Sequence, residues 1–138
     1  MINFNYARGN FWSIVLKIVY SSEKLEKICS DPDVTKKYFG GNMELVTSLE
    51  YKIYSLKRAP NLKDVINTFS FRFHKLHNIG KKRYEGFYAI DVKTRKEPWR
   101  IILQPLDDNM TPFGSHNIDA IASCVKIIEI EEISKHYE

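Results

Sequence analysis

The sequence predicts an α+β fold of the order β-α-α-β-β-β-β, with a helical hairpin packed on a curled, mainly antiparallel sheet. Three observations predict it. Residues 12–20 are rich in β-branched and aromatic side chains, residues 23–58 carry helical periodicity, and four more strand-like segments follow residue 68. Short connections between those four favour an antiparallel meander. With 138 residues and no repeat or linker, the chain is expected to form a single domain, residues 1–138.

Punctuating residues divide the helical region. Two serines at 21–22 offer N-caps for a short helix, and Asp31–Pro32 restarts the helix as cap and first residue. A glycine pair at 40–41 stops it. Apolar residues then recur at helical spacing over 42–58, and Asn61 caps one more turn. A helical pair over 23–58 is therefore expected to cover one face of the sheet.

The four later strands are predicted from alternation and apolar content. Phenylalanines alternate with polar residues over 69–74, which is the period of a half-buried strand. The other three predicted strands cover 84–92, 98–105 and 121–131, and a polar loop covers 107–117.

Basic charge is concentrated in one segment. The whole chain has a formal net charge of +4, whereas residues 72–100 hold nine Lys or Arg against three acids, a net charge of +6. The remainder of the chain is net negative. A solvated face would explain a run of charge alone, but the interleaved aromatic residues favour a phosphate-binding surface.

Other features bound the function. Cys29 and Cys124 provide neither a disulfide framework nor a zinc ligand set, and two scattered thiols suit a reducing compartment. The opening residues lack the pattern of a signal peptide, and no apolar run approaches the roughly 20 residues of a membrane helix. We therefore expect a cytoplasmic protein with no cofactor, no metal and no membrane contact.

Several motifs occur in a characteristic order: YKIYSLKRAPNL, FHKLHNIGKKRYEGFYAIDV, PWRIILQP and VKIIEIEEISKHYE. In this order they resemble the RelE/ParE toxin superfamily, and within it the HigB-type toxins. The resemblance covers about residues 15–138, so residues 1–14 are expected to be an N-terminal extension. The end of the chain, SKHYE, departs from the Asp-Tyr-His found in many HigB-type toxins.

The resemblance implies a RelE-like fold and the toxin of a type II toxin–antitoxin system. Such a toxin is a ribosome-dependent endoribonuclease, or messenger-RNA interferase, and a helix-turn-helix antitoxin neutralises it in an oligomeric complex. The 2′-OH of the RNA attacks the adjacent phosphate, which requires a base, an acid and cations but no metal. Two alternatives remain open: a ParE-like DNA gyrase inhibitor without nuclease activity, and a non-toxic adaptor that binds nucleic acid through its basic face.

The candidate site residues follow from this chemistry. Arg100 is expected to clamp the transition-state phosphate, although a cross-strand pair with Glu85 or Asp91 would also explain it. His74 and His77 would lie on opposite faces of a strand and so form a poor metal chelate. The candidate catalytic residues are Arg100, His136, His77 and Lys82. The candidate RNA-binding residues are Lys75, Lys81, Arg83, Lys135 and Tyr137.

Overall fold

Five strands form one mixed sheet in a computed structural model that describes residues 15–77, 84–114 and 117–135. The strands are β1 (Lys17–Tyr20), β2 (His74–Lys75), β3 (Tyr88–Asp91), β4 (Trp99–Leu106) and β5 (Ile127–Lys135). Their spatial order is β1-β5-β4-β3-β2. β1 runs parallel to β5, and the other three pairs are antiparallel. The predicted α+β class and mainly antiparallel sheet are therefore confirmed.

Four helices separate β1 from β2, and a fifth precedes β5. They are α1 (Glu23–Ser30), α2 (Pro32–Tyr38), α3 (Met43–Arg58), α4 (Leu62–Asn67) and α5 (Ile118–Ile121). The predicted caps are present: the side chains of Ser22, Asp31 and Asn61 accept hydrogen bonds from the first turns of α1, α2 and α4. The predicted helical pair is therefore α1–α2, broken at Asp31–Pro32, together with α3. None of the helices in the described residues is long and apolar enough to cross a membrane.

The main core lies between the helices and one face of the sheet. Its fully buried side chains come mainly from α3, α4 and the central strands, and they include Leu49, Leu56, Ile101, Leu103 and Ile130. A smaller apolar cluster covers the opposite face of the sheet. It contains Leu76, Tyr84, Ala89 and Ile102. Both faces of β3 and β4 are therefore covered, which agrees with their nearly continuous apolar sequences.

The strand predicted over 69–74 is wrong for most of its length. Phe69–Phe71 form a 3₁₀ turn, Arg72 adopts a left-handed conformation with a φ of 46°, and the strand covers only His74–Lys75. Phe71 is buried in the core whereas Phe69 is 95% exposed, so the alternating phenylalanines do not share a face.

The strand predicted over 84–92 begins later, at Tyr88. A turn occupies the first residues, in which the Phe87 amide donates to the Tyr84 carbonyl over 3.0 Å. Gly86 has a φ of 81°, and a Cβ there would lie 2.9 Å from the carbonyl oxygen of Gly114. Only glycine fits this turn, because it both permits the positive φ and leaves room for the passing chain.

The strand predicted over 121–131 is displaced toward the C-terminus. Residues 118–124 are helical, with the Asn117 side chain accepting from the Asp119 amide, and β5 covers Ile127–Lys135. The apolar run therefore spans two elements. Its later half is the strand, so Lys135 belongs to the sheet and not to a loose tail.

The hydroxyl of Tyr20, the last residue of β1, and the thiol of Cys29 in α1 are both buried. Burial, with smaller contributions from nearby Cys29 and Glu26, raises the pKa of Tyr20 to about 12. Burial also raises the pKa of the Cys29 thiol to about 12. The Tyr20 hydroxyl is buried and has no hydrogen-bond partner among the described residues. The folded state therefore favours the neutral form of both groups.

We expect Tyr20→Phe to make the protein less sensitive to alkali. The folded pKa of Tyr20 lies above its ordinary value of 10, so its contribution to stability is complete below pH 10 and is lost as pH rises through 12. At neutral pH the substitution should leave the free energy of unfolding unchanged or raise it by up to about 1 kcal/mol, because a buried hydroxyl without a partner is removed. Urea denaturation from pH 7 to 12 measures both effects. Tyr54→Phe, on an exposed ring of α3, is the control; an equal change in both variants would contradict the assignment.

Candidate nucleic-acid interface

A buried carboxylate at the end of β3 gathers cations from three elements. Asp91 is 3% exposed, and its carboxylate accepts from Arg72 Nε over 2.8 and 3.0 Å. Arg72 Nη2 lies 2.8 Å from the same carboxylate, and Arg100 Nε, directly opposite on β4, lies 3.3 Å from it. The Lys52 ammonium of α3 donates to the Asp91 backbone carbonyl over 2.8 Å. Two guanidinium groups therefore contact the Asp91 carboxylate, and an ammonium contacts the backbone of the same residue.

The Lys52 ammonium is held where water has little access. Burial lowers its pKa, Asp91 opposes that shift, and Arg100 adds to it. Its hydrogen bonds to the carbonyls of Asp91 and Val92 replace lost hydration. The cluster carries two more positive than negative charges, so it contributes a positive potential at this end of the sheet.

The expectation that Arg100 clamps a phosphate is wrong, because the residue is only 2% exposed and its guanidinium is occupied by protein acceptors. The alternative, a cross-strand pair with Asp91, is confirmed. The terminal nitrogens of Arg100, Nη1 and Nη2, also donate to four backbone carbonyls in and beside the β3–β4 loop. These carbonyls belong to Thr94, Arg95, Glu97 and Trp99. Arg100 therefore holds the loop from beneath.

The loop that Arg100 holds presents cations to solvent. Lys93, Arg95 and Lys96 are exposed. Lys135 of β5 pairs in register with Trp99 of β4, and its ammonium lies 5.4 Å from the centre of the Trp99 ring. We call these four cations together with Trp99 the basic end of the sheet. The antiparallel register of β4 and β5 creates it, because the last residues of β5 meet the first residues of β4.

Trp99 is itself fixed by an aromatic cluster. The centre of its ring lies 5.0 Å from the centre of the Phe39 ring, in an edge-to-face arrangement, and 5.6 Å from the centre of the Tyr38 ring. The Tyr38 hydroxyl donates to the Ile133 carbonyl of β5 over 2.5 Å. Helix α2 therefore supports the aromatic ring on which Lys135 rests.

The other predicted residues do not all come together. Lys75 and His77 are exposed on and just after β2, but three strand spacings, or about 14 Å, separate β2 from β5. The chain also runs away from the basic end after His74. The structure thus places Lys135, but neither Lys75 nor His77, at the basic end. Lys81, Lys82, Arg83, His136 and Tyr137 lie outside the described residues.

Sequence reasoning missed the residues that form much of this surface. Lys93, Arg95 and Lys96 were part of the basic segment, but none was chosen as a binding residue. The signal was available, since KTRKEP is a polar, basic stretch between two strands, and binding residues often lie on such loops. Arg72 could not be found in this way, because its pairing with Asp91 depends on the unexpected turn before β2. That turn also positions the imidazole of His74, whose Nδ1 lies 2.7 Å from the Arg72 carbonyl oxygen.

Comparison with known proteins gives no match. No protein-family model matches the chain, and no curated protein or solved structure shows significant similarity to it.

We expect Arg100→Met to destabilise the fold. The substitution keeps much of the side-chain volume but removes the buried partner of Asp91 and the donor to four carbonyls, and breaking a buried ion pair costs about 3–5 kcal/mol. Urea denaturation followed by tryptophan fluorescence would measure the loss. Arg95→Ala, at an exposed position of the same loop, should change the free energy of unfolding by no more than about 0.5 kcal/mol. An unchanged urea midpoint for Arg100→Met would show that the guanidinium is not structural.

Proposed function

We propose that the protein is the toxin of a type II toxin–antitoxin system that cleaves messenger RNA on the ribosome. The observation that carries this proposal is the register of β4 and β5, which places Lys135 beside Trp99 and the cationic β3–β4 loop. The residue that follows Lys135 in the chain is His136, the candidate proton-transfer group. The exposed cations of the β3–β4 loop and Lys135, the last described residue, are thereby brought to one end of the sheet.

The order of elements also supports the proposal. One strand, a helical region and four further strands follow one another, as the resemblance to RelE-like toxins implies. The first strand pairs with the last, and the basic end lies where the last strand finishes. A RelE-like fold is therefore part of the proposal. So are a cytoplasmic location, a helix-turn-helix antitoxin and an oligomeric complex with it.

The chemistry divides between several kinds of group. The 2′-OH of the RNA must lose a proton as it attacks the phosphorus atom, and the departing 5′ oxygen must gain one. His136 and Lys82 are the candidates for these transfers, whereas His77 lies away from the basic end. Negative charge grows on the phosphate oxygens, and exposed cations at the basic end are placed to meet it. Arg100 takes no part in this contact; it acts as a positioning residue for the loop that carries Arg95 and Lys96.

Removing the last three residues is expected to abolish cleavage while keeping the fold. A chain that stops after Lys135 retains all of β5 but loses His136 and Tyr137. Loss of a general acid or base lowers the rate by roughly 10²–10⁴. Mapping of messenger 5′ ends in cells that express each variant measures cleavage, and circular dichroism measures folding. His136→Gln should reproduce most of the loss, since glutamine cannot transfer a proton near neutral pH.

Glu138→Gln is the matched control, because it changes the same tail without removing an imidazole. Cleavage at the full rate by the truncated chain would assign proton transfer to Lys82. Growth inhibition by the full-length protein without any new messenger 5′ end, together with loss of DNA supercoiling activity, would replace the nuclease by the gyrase inhibitor.

A further inference from the structure

A groove beside the basic end combines an exposed aromatic ring with cations. It lies between the 3₁₀ turn Phe69–Phe71 and the β3–β4 loop and has a volume of about 660 Å³. Phe69 forms one wall, and Arg72, Lys93 and Arg95 contribute the charged part of the lining. A volume of this size falls within the range of sites that bind small organic ligands.

Phe69 is 95% exposed on a turn that is firmly attached to the fold. On one side of it, the Thr68 hydroxyl donates to the Asp64 carbonyl of α4 over 2.6 Å. On the other side, Phe71 is buried in the core and Arg72 is paired with Asp91. An apolar ring of this size gains nothing from contact with water, since burying it would contribute about 1.5–3 kcal/mol. The fold thus presents a rigid, uncovered aromatic face.

The charge of the groove indicates an anionic ligand. Its lining has three cations, and Asp91 is its one acidic residue among the described side chains. Lys93 forms an ion pair with Glu44 of α3 at the rim, so it is available to a phosphate only by exchange. Arg95 is exposed, and its backbone carbonyl accepts a hydrogen bond from Arg100 Nη2 over 2.9 Å. Arg95 is therefore the best-placed phosphate contact on this wall.

A ring and a guanidinium that line the same groove suit one kind of ligand. Unpaired bases stack on aromatic side chains, and arginine meets the adjoining phosphate. A paired base has no free face for such stacking, so duplexes do not fit. A protein partner is the competing occupant, and the groove's three cations favour a polyanion over it.

We propose that this groove binds an unpaired nucleotide of single-stranded RNA, with the base stacked on Phe69 and the phosphate at Arg95. The inference rests on the proposed function for the choice of RNA, and it places part of the strand outside the reacting centre. It requires no covalent step. The groove adjoins the basic end, because both surfaces share Lys93 and Arg95.

Binding can be measured without cleavage. The probe is a fluorescein-labelled 2′-O-methyl RNA of about 12 nucleotides, within the length that one single-strand-binding site covers. Because its 2′ oxygens cannot attack, its anisotropy reports association alone. Phe69→Ala should weaken binding about tenfold or more, whereas Phe69→Trp should preserve it, since the stacking face remains. Arg95→Ala should weaken binding and reduce the slope of log affinity against log salt by about 0.7.

Matched controls come from exposed positions outside the groove. Tyr54→Ala removes an exposed ring from α3, and Lys24→Ala removes an exposed cation from α1. Both should bind as the wild-type protein does. Equal affinity for a single-stranded DNA of the same sequence would support stacking without contact to the 2′ oxygen.

Two results would overturn the proposal that the groove binds RNA. One is wild-type affinity in Phe69→Ala, and the other is an equal loss in Phe69→Ala and Tyr54→Ala. If Phe69→Ala instead abolished only the binding of a purified antitoxin, the ring would be a protein contact. Messenger cleavage by the intact protein would leave the proposed function standing in each of these cases. The failure of the groove and the failure of the nuclease are therefore distinguishable.

Discussion

The carboxylate of Asp91 organises one whole end of this molecule. It holds Arg72, and with it the turn that follows α4, and it holds Arg100, which in turn fixes the β3–β4 loop through backbone carbonyls. Lys52 joins α3 to the same point through the Asp91 carbonyl. Helix, turn and loop thus meet at one residue of β3. Because the carboxylate is only 3% exposed, its ionic contacts are screened little by solvent and salt.

The same arrangement leaves an excess of buried positive charge. A fold keeps such an excess at some cost, since each ammonium or guanidinium loses hydration. A polyanion bound at the adjoining surface would offset part of this cost, so ligand binding and folding stability are linked at this site. The site differs in this respect from a simple array of surface lysines. Its loop cations are exposed, but the group that positions them is buried.

The sequence carried the elements whose signals are local. Residue type and spacing predict caps at Ser22, Asp31 and Asn61 and a strand over 98–105. The structure has these caps and a strand at Trp99–Leu106. The 3₁₀ turn at Phe69–Phe71 was missed because its cause is distant: Arg72 takes a left-handed conformation and pairs with Asp91, nineteen positions away. The burial of Arg100 could not be predicted for the same reason. A sequence alone does not show whether an arginine pairs with a residue on the next strand or binds a ligand. The setting of Lys135 beside Trp99 could not be predicted, because the predicted last strand ended at residue 131, before Lys135.

The parallel pairing of β1 with β5 determines when, during synthesis, the sheet can be completed. These strands stand at opposite ends of the described chain, and the Ser21 hydroxyl donates to the Glu131 carbonyl across 110 positions. Contacts of such long range close late, since the entropy of the intervening chain must be overcome first. During synthesis β1 waits without its neighbour until residues 127–135 have left the ribosomal exit tunnel. The basic end, which needs Lys135 beside Trp99, is assembled in that same step, so a nascent chain without residues 127–135 has no complete basic end.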